Sequence, residues 1–167
     1  FLEGGAAINV LARHTGAKVI VVDCGVASYL KAHPLLKIKK IGLGTNNMAV
    51  GPAMSRDAAI QSIEAGIELI EEELAEGIDI VGTGDMGIAN TTPSSAILSV
   101  LGRMDVVSAT GRGTGLDEES IQRKIHVIKK AIDVNQPNPN DAIDVLAKVG
   151  GYEIGGLAGL CLGAARY

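Results

Sequence analysis

The sequence predicts a single-domain α/β protein in which short parallel strands are flanked by helices, and three observations carry that expectation. First, 47% of the 167 residues are apolar while aromatics are limited to one Phe and three Tyr. Second, glycine reaches 22 residues, so the core is built from Ile, Val, Leu and Ala between many tight turns. Third, brief β-branched runs alternate with longer stretches of three-and-four periodicity, the rhythm of βαβ units. With only 20% charged residues, the chain has enough apolar surface to fold around a core.

The elements follow in order. Ala6 to Ala12 has helical character and Gly16 is placed to end it. Lys18 to Asp23 (KVIVVD) is a continuous β-branched run, as expected of a strand buried on both faces. A connection containing Pro34 leads to a second strand over Lys37 to Ile41, and residues 42 to 54 read as a loop. Ser55 is an N-cap, after which Ile60, Ile63, Ile67, Ile70 and Leu74 mark one face of a helix that Gly77 closes. Glu64, Glu68 and Glu71 to Glu73 occupy the rest of it and read as a solvated face. Ile78 to Val81 and Val106 to Ala109 are expected to be strands, and Pro93 to Leu101 a helix. Asp117 opens a long helix to Val134, the Asn-Gln-Pro-Asn-Pro-Asn turn follows, and Asn140 or Asp141 caps a helix to Val149. A glycine-dotted apolar helix, Ile154 to Ala165, comes last.

A formal charge of −4 argues against nucleic acid as a partner, because a phosphate backbone demands a basic face. Lysines cluster only at Lys37 to Lys40, where alternation with Ile38 and Ile41 suggests a strand with one wet face. No stretch approaches the length of apolar sequence a membrane span needs. Cys24 and Cys161 sit in separate apolar runs and read as small core residues in a reducing cytoplasm. His14, His33 and His126 share no spacing with one another or with carboxylates, so no metal site or nucleophile–base arrangement is indicated. The chain begins at Phe1 inside a helical pattern and stops directly after another, so it reads as a piece of a longer protein.

Two glycine loops could hold chemistry. GTGDMGIANTTP, residues 82 to 93, lies between an expected strand and a helix, where open α/β sheets bind ligands. Thr91 and Thr92 can cap the helix at Pro93, leaving N–H groups and a positive dipole end for an anion. Gly82, Gly84 and Gly87 also fit a dinucleotide fingerprint with Asp105 as the ribose acid. An NAD-dependent dehydrogenase is therefore an alternative. Against it, the helix starts late and Asp85 would face a pyrophosphate. The second loop, GRGTG at 111 to 115, is either a phosphate-binding nest or a tight turn before Asp117. Lys124 shares a helix face with Ile121 and Ile128, and either snorkels outward or reaches inward to an anion.

Five blocks go further than spacing: GGAAINVLARHTGAKVIVVDCGV, GTNNMAVGPAMSRDAAI, GTGDMGIANTTPSSAI, ATGRGTG and NQPNPNDAIDVLAKVGGYEIGGLAGLCLGAAR. In order and over nearly the whole chain, they resemble the nicotinate-nucleotide:dimethylbenzimidazole phosphoribosyltransferases. The resemblance implies a Rossmann-like parallel sheet flanked by helices in a homodimeric enzyme, with residues 1–167 as its central core, truncated at both ends relative to the family. It implies transfer of the phosphoribosyl group of nicotinate mononucleotide to 5,6-dimethylbenzimidazole, giving α-ribazole 5′-phosphate for the lower ligand of cobalamin, with no metal or other cofactor. Gly84, Asp85, Gly87, Asn90 and Thr91 are implied to hold the nucleotide, Gly113 its phosphate region, and Lys124 to supply charge.

Two departures qualify the resemblance. Asp85 stands where many members have Glu, which shortens its reach. The general-base glutamate falls in a family segment beyond Tyr167, and much of the benzimidazole pocket in one before Phe1. The expectation is then a chain with little or no transferase activity alone, since general-base assistance contributes on the order of 10²–10⁴-fold. A non-catalytic nucleotide-binding fragment is the second reading.

Overall fold

The computed structural model describes residues 1–112, 115 and 117–167. Helix α1 (Ala7–Thr15) ends at Gly16, which takes the left-handed conformation with φ 71°. Strands β1 (Val21–Asp23) and β2 (Leu36–Ile38) pair in parallel, with Val21 opposite Leu36 and Asp23 opposite Ile38. The pairing then continues irregularly, as the N–H groups of Lys39, Ile41 and Gly44 donate to the carbonyls of Asp23, Cys24 and Gly25. Both strands are shorter than the sequence suggests, and they form the only sheet among the described residues.

Five helices follow: α2 (Arg56–Leu74), α3 (Thr91–Leu101), α4 (Val106–Ala109), α5 (Glu118–Asn135) and α6 (Ala142–Val149), with α7 (Tyr152–Arg166) as a sixth. Side chains cap three of them as expected: Ser55 accepts from the Ala58 N–H, Asp117 from Ser120, and Asp141 from Ile143 and Asp144. Two expected strands do not form. Ile78–Val81 pairs with no other strand among the described residues; Ile78 and Val81 are half-buried but Ile80 is 91% exposed, so this apolar run lacks a ladder partner. Val106–Ala109 is one helical turn because the Asp105 carboxylate accepts from the N–H groups of Val107 and Ser108 at 2.9 and 3.2 Å. That cap outweighs the β-propensity of two valines.

The core lies among the helices. Ala96, Ile128, Ala131, Val145 and Val149 form one buried cluster, and Ala53, Met54, Ala59, Leu146 and Ala147 another, with Met48 and Ile97 packed against both. Helix α6 serves both clusters. Burial of a side chain such as Ile128, Val145 or Val149 contributes about 1.5–3 kcal/mol. Cys161 is exposed and Cys24 half-buried, which corrects the expectation that both are core residues. Among the described residues no helix is long and apolar enough to cross a membrane.

The glutamate face of α2 is not simply solvated. Lys37 contacts Glu72 and Glu73 at 2.9 and 2.7 Å, Lys39 contacts Glu68 and Glu72 at 2.8 and 2.7 Å, and Lys18 also meets Glu73. These pairs clamp the strand segment onto α2 and account for Lys37 and Lys39 of the basic cluster, while Lys40 pairs with Asp23.

The most extensive helix contact joins α2 to α7. Its seam is lined by Gly66 on α2 and by Gly155, Gly156, Gly159 and Gly163 on α7, all buried. A Cβ at Gly66 would be driven into the Gly156 carbonyl, and one at Gly159 into the Ile63 carbonyl. The two backbones therefore touch, which only glycine permits. A Gly159→Ala substitution gains roughly 1 kcal/mol of helix propensity, but the obstruction is backbone and cannot rotate away. Overpacking of about 1–3 kcal/mol wins. Urea unfolding will place the Gly159→Ala midpoint below that of Gly163→Ala, whose Cβ meets only Ile70 and Ile67 at 3.1 Å and beyond. An unchanged or raised Gly159→Ala midpoint would contradict this packing.

Candidate functional site

Three segments meet where β1 ends. The first is the turn after Asp23, fixed when its Oδ1 accepts from the N–H groups of Gly25 and Val26 at 3.0 and 2.9 Å. The second is the start of α7. The Tyr152 ring lies against Gly25 and its hydroxyl over Gly42, each of which would collide with it if it carried a Cβ. The third is the loop 82–90, whose Asp85 lies within electrostatic range of both Cys24 and Glu153.

Apart from Asp23, which pairs with Lys40, the charged groups here are carboxylates. Burial pushes the Glu153 carboxyl above its ordinary range, and the Asp85 charge adds to the rise. Asp85 is raised as well, chiefly by burial, against the lowering effect of hydrogen bonds from the Met86 backbone and the Asn90 side chain. The Cys24 thiol is pushed up to about 11 by burial and then by the charges of Glu153, Asp23 and Asp85. No Lys or Arg pairs with Asp85 or Glu153 among the described residues. Such a corner favours a ligand bearing positive charge. No group of three or more His, Cys, Asp or Glu side chains able to hold a metal ion occurs among the described residues.

Beyond the acidic corner the loop changes character. Asn90 is buried, and its Nδ2 donates to Asp85 Oδ2 and, at 2.8 Å, to the Met86 carbonyl. That bond holds the loop closed and leaves Asn90 unavailable to cap α3. Ala89 takes φ 68°, a left-handed conformation unusual for a residue with a Cβ. Helix α3 begins at Thr91, two residues ahead of Pro93, with no side-chain cap on its first N–H groups. Lys124 reaches inward to it. Its Nζ donates to the Thr91 hydroxyl at 2.9 Å, the residue is only 7% exposed, and burial lowers its pKa. An uncapped helix start beside a buried lysine suits an anion. Thr92, Pro93 and Ala89 also border a cleft of about 210 Å³, completed by Thr45, Asn46, Asn47, Met48 and Val127. The Asn135 amide holds its floor by donating to the Met48 carbonyl at 2.7 Å.

Of the residues expected at the site, Asn90 bonds to Asp85 and Lys124 to Thr91, two pairs that are joined along the chain where Asn90 precedes Thr91. Gly84 and Gly87 lie in the same loop with open space where a Cβ would stand. Gly113 lies outside the described residues. The second loop is represented by Gly115, whose N–H donates to the Arg112 carbonyl at 3.1 Å. Asp105 is occupied as the α4 cap, and α3 opens four residues after Gly87, so neither half of the dinucleotide fingerprint is met. Glu153 was not expected. Its sequence signal is a single acidic residue in the first turn of an otherwise uncharged apolar helix start, YEIGGLAG.

Comparison with known proteins identifies the family of the chain. A family model described as phosphoribosyltransferase matches residues 1–167. A nicotinate-nucleotide–dimethylbenzimidazole phosphoribosyltransferase from Roseiflexus sp. (strain RS-1) is 57% identical over 165 residues, covering 99% of this chain and 47% of the relative. Its counterpart from Desulforudis audaxviator (strain MP104C) is 58% identical over 167 residues, again 47% of the relative. The crystal structure of CobT from Thermus thermophilus superposes with a TM-score of 0.93 at 38% identity, covering 99% of this chain and 50% of that one. The chain thus spans about half the length of the relatives it matches.

The acidic corner has a direct probe in Cys24. With Cys161 replaced by Ala to silence the exposed thiol, Glu153→Gln will lower the midpoint of the pH–rate profile for Cys24 alkylation, because one of the charges that raises it is gone. A midpoint equal to that of the Cys161→Ala parent would place Glu153 too far away to matter.

Proposed function

The chain belongs to the phosphoribosyltransferase family, and from that premise we propose that it binds nicotinate mononucleotide for transfer of its phosphoribosyl group to 5,6-dimethylbenzimidazole. The observation that carries the reading is the polarity of the site: an uncapped α3 start with buried Lys124 at one end of the 82–91 loop, two cation-free carboxylates at the other. Nicotinate mononucleotide has matching polarity. It carries a phosphate at one end of the ribose and a positively charged pyridinium nitrogen at the other.

On this reading the phosphate lies by Thr91 and Lys124, and the ribose along Gly84 to Asn90. Asp85 and Glu153 face the glycosidic nitrogen and the electron-poor anomeric carbon that develops as its bond breaks. The bond from that carbon to nicotinate is lost, a bond to the benzimidazole nitrogen forms on the opposite face, and the azole proton departs to a base. The base is proposed to come from outside this chain, in keeping with a span of about half the relatives' length. The chain alone then binds nucleotide but turns over little or none of it. The same reading gives a cytoplasmic homodimer. It is supported by two free cysteines and by the exposed apolar side chains Ile8, Val10 and Leu11 on α1.

Titration calorimetry will detect nicotinate mononucleotide binding to this chain, while product analysis with added dimethylbenzimidazole finds little α-ribazole 5′-phosphate. Lys124→Met will weaken binding about ten- to a hundredfold, the equivalent of roughly 1.5–3 kcal/mol for a charge-assisted hydrogen bond. Because burial holds the Lys124 pKa below its ordinary value, affinity will fall with rising pH in the alkaline range and begin to do so before an exposed lysine would titrate. A chain that ignores the nucleotide, or a Lys124→Met variant that binds it normally, would overturn the reading.

A further inference from the structure

A buried ion pair stands behind the acidic corner, outside the loop that faces the nucleotide. Asp23, at the end of β1, is 2% exposed, and its carboxylate does two things. Oδ1 accepts from the Gly25 and Val26 N–H groups, while Oδ2 lies 2.8 Å from Lys40 Nζ. The ammonium is aimed past the carboxylate. It donates instead to the carbonyls of Val26 and Ser28 at 2.6 and 3.1 Å, so Oδ2 has a charge beside it but no aligned donor. Asp23 and Lys40 together satisfy both N–H and carbonyl groups of the turn that runs from 23 to 28. A buried carboxylate is paired with one lysine, and that lysine is itself held by the turn.

What the turn supports is the start of α7. Gly25 lies within it and forms one side of the notch that receives the Tyr152 ring; Gly42, two residues beyond Lys40, forms the other. Glu153 is the next residue along, followed by the glycine seam against α2. Contact therefore runs from Lys40 and Asp23 through the turn to Tyr152, whose chain neighbour Glu153 lies within electrostatic range of Asp85.

We infer that Asp23 and Lys40 are a positioning pair for the nucleotide site, shaping the 23–28 turn so that Tyr152 seats and Glu153 is held opposite the Asp85 loop. The inference rests on the nucleotide reading for its binding arm and stands without it for its geometry. Charge removal at Lys40 leaves Asp23 buried and unpaired, a state that favours opening of the turn to water. The side chain of Lys39, its neighbour, instead points to Glu68 and Glu72 on α2; only its backbone N–H meets the turn, at the Asp23 carbonyl, and a Met there keeps that bond.

The test compares Lys40→Met, Lys40→Arg, Asp23→Asn and Lys39→Met in the Cys161→Ala background, with urea unfolding recorded for each. Two readouts are taken: the iodoacetamide rate at Cys24, which borders the turn, and the dissociation constant for nicotinate mononucleotide. Lys40→Met is expected to speed Cys24 alkylation about tenfold as the thiol loses its cover, and to weaken nucleotide binding by a similar factor as Glu153 drifts. Asp23→Asn, which retains an oxygen for the two N–H groups, moves both in the same direction by less and serves should Lys40→Met unfold. Lys40→Arg restores both readouts, and Lys39→Met leaves both unchanged even where it lowers the urea midpoint. If Lys40→Met and Asp23→Asn lower stability but leave Cys24 reactivity and affinity at their parent values, the pair is a staple and the inference is wrong. If the parent binds no nucleotide, the proposed function fails, and the Cys24 rates alone decide the positioning claim.

Discussion

The backbone contact between α2 and α7 is the constraint on which the rest of the structure depends. Where Gly66 meets Gly156 and Gly159 meets Ile63, no side chain separates the two helices, so α7 has little freedom to shift along α2. The N-terminal end of α7 is thereby fixed at the point where both strands finish, with Tyr152 in the notch between Gly25 and Gly42. A sheet of only two short strands could not orient that end unaided. Lysine–glutamate pairs from Lys18, Lys37 and Lys39 draw the strand segment onto the same helix, so α2 is the frame that the strands and the start of α7 share.

On this frame the protein keeps charges that folding alone would discourage. Lys124 is buried without a carboxylate partner among the described residues and is held by a neutral hydroxyl. Asp85 and Glu153 sit close to each other and to a thiol pushed up to about 11, again without a cation. Each arrangement favours the neutral form of its group, and each is relieved by a ligand of opposite charge. Asp23 with Lys40 is the contrasting case, in which the fold itself supplies the partner. Groups paired inside the protein shape the turn, whereas those left unpaired are the ones that a ligand of opposite charge would relieve.

Much of this is legible in the sequence, for identifiable reasons. The periodicity from Ile60 to Leu74 and the caps at Ser55, Asp117 and Asp141 locate three helices, because those signals are local. The strands expected at Ile78–Val81 and Val106–Ala109 are absent for different reasons. The first has strand composition but no partner among the described residues, and pairing is not a local property. The second is decided by the Asp105 carboxylate, a cap whose place in the sequence also suits a ribose ligand. At the site, Asp85 and Asn90 form one hydrogen-bonded pair and Thr91 and Lys124 another. Glu153 is hidden because it lies more than sixty positions from that loop, and only the glycine seam brings it near. The Lys40 contact with Asp23 is masked by an alternation that points to a wet strand face.

Amide hydrogen exchange with and without nicotinate mononucleotide tests the central claim most directly, that helix packing delivers the start of α7 to the 82–91 loop to form one binding site. The account predicts that the slowest exchange in the free protein lies along the α2–α7 seam. It also predicts that the nucleotide adds protection to residues 82–92 and 151–153 together. Protection confined to the other cleft, between Ile70, Ile78 and Tyr167, or gained in the 82–92 loop with none at the start of α7, would contradict it.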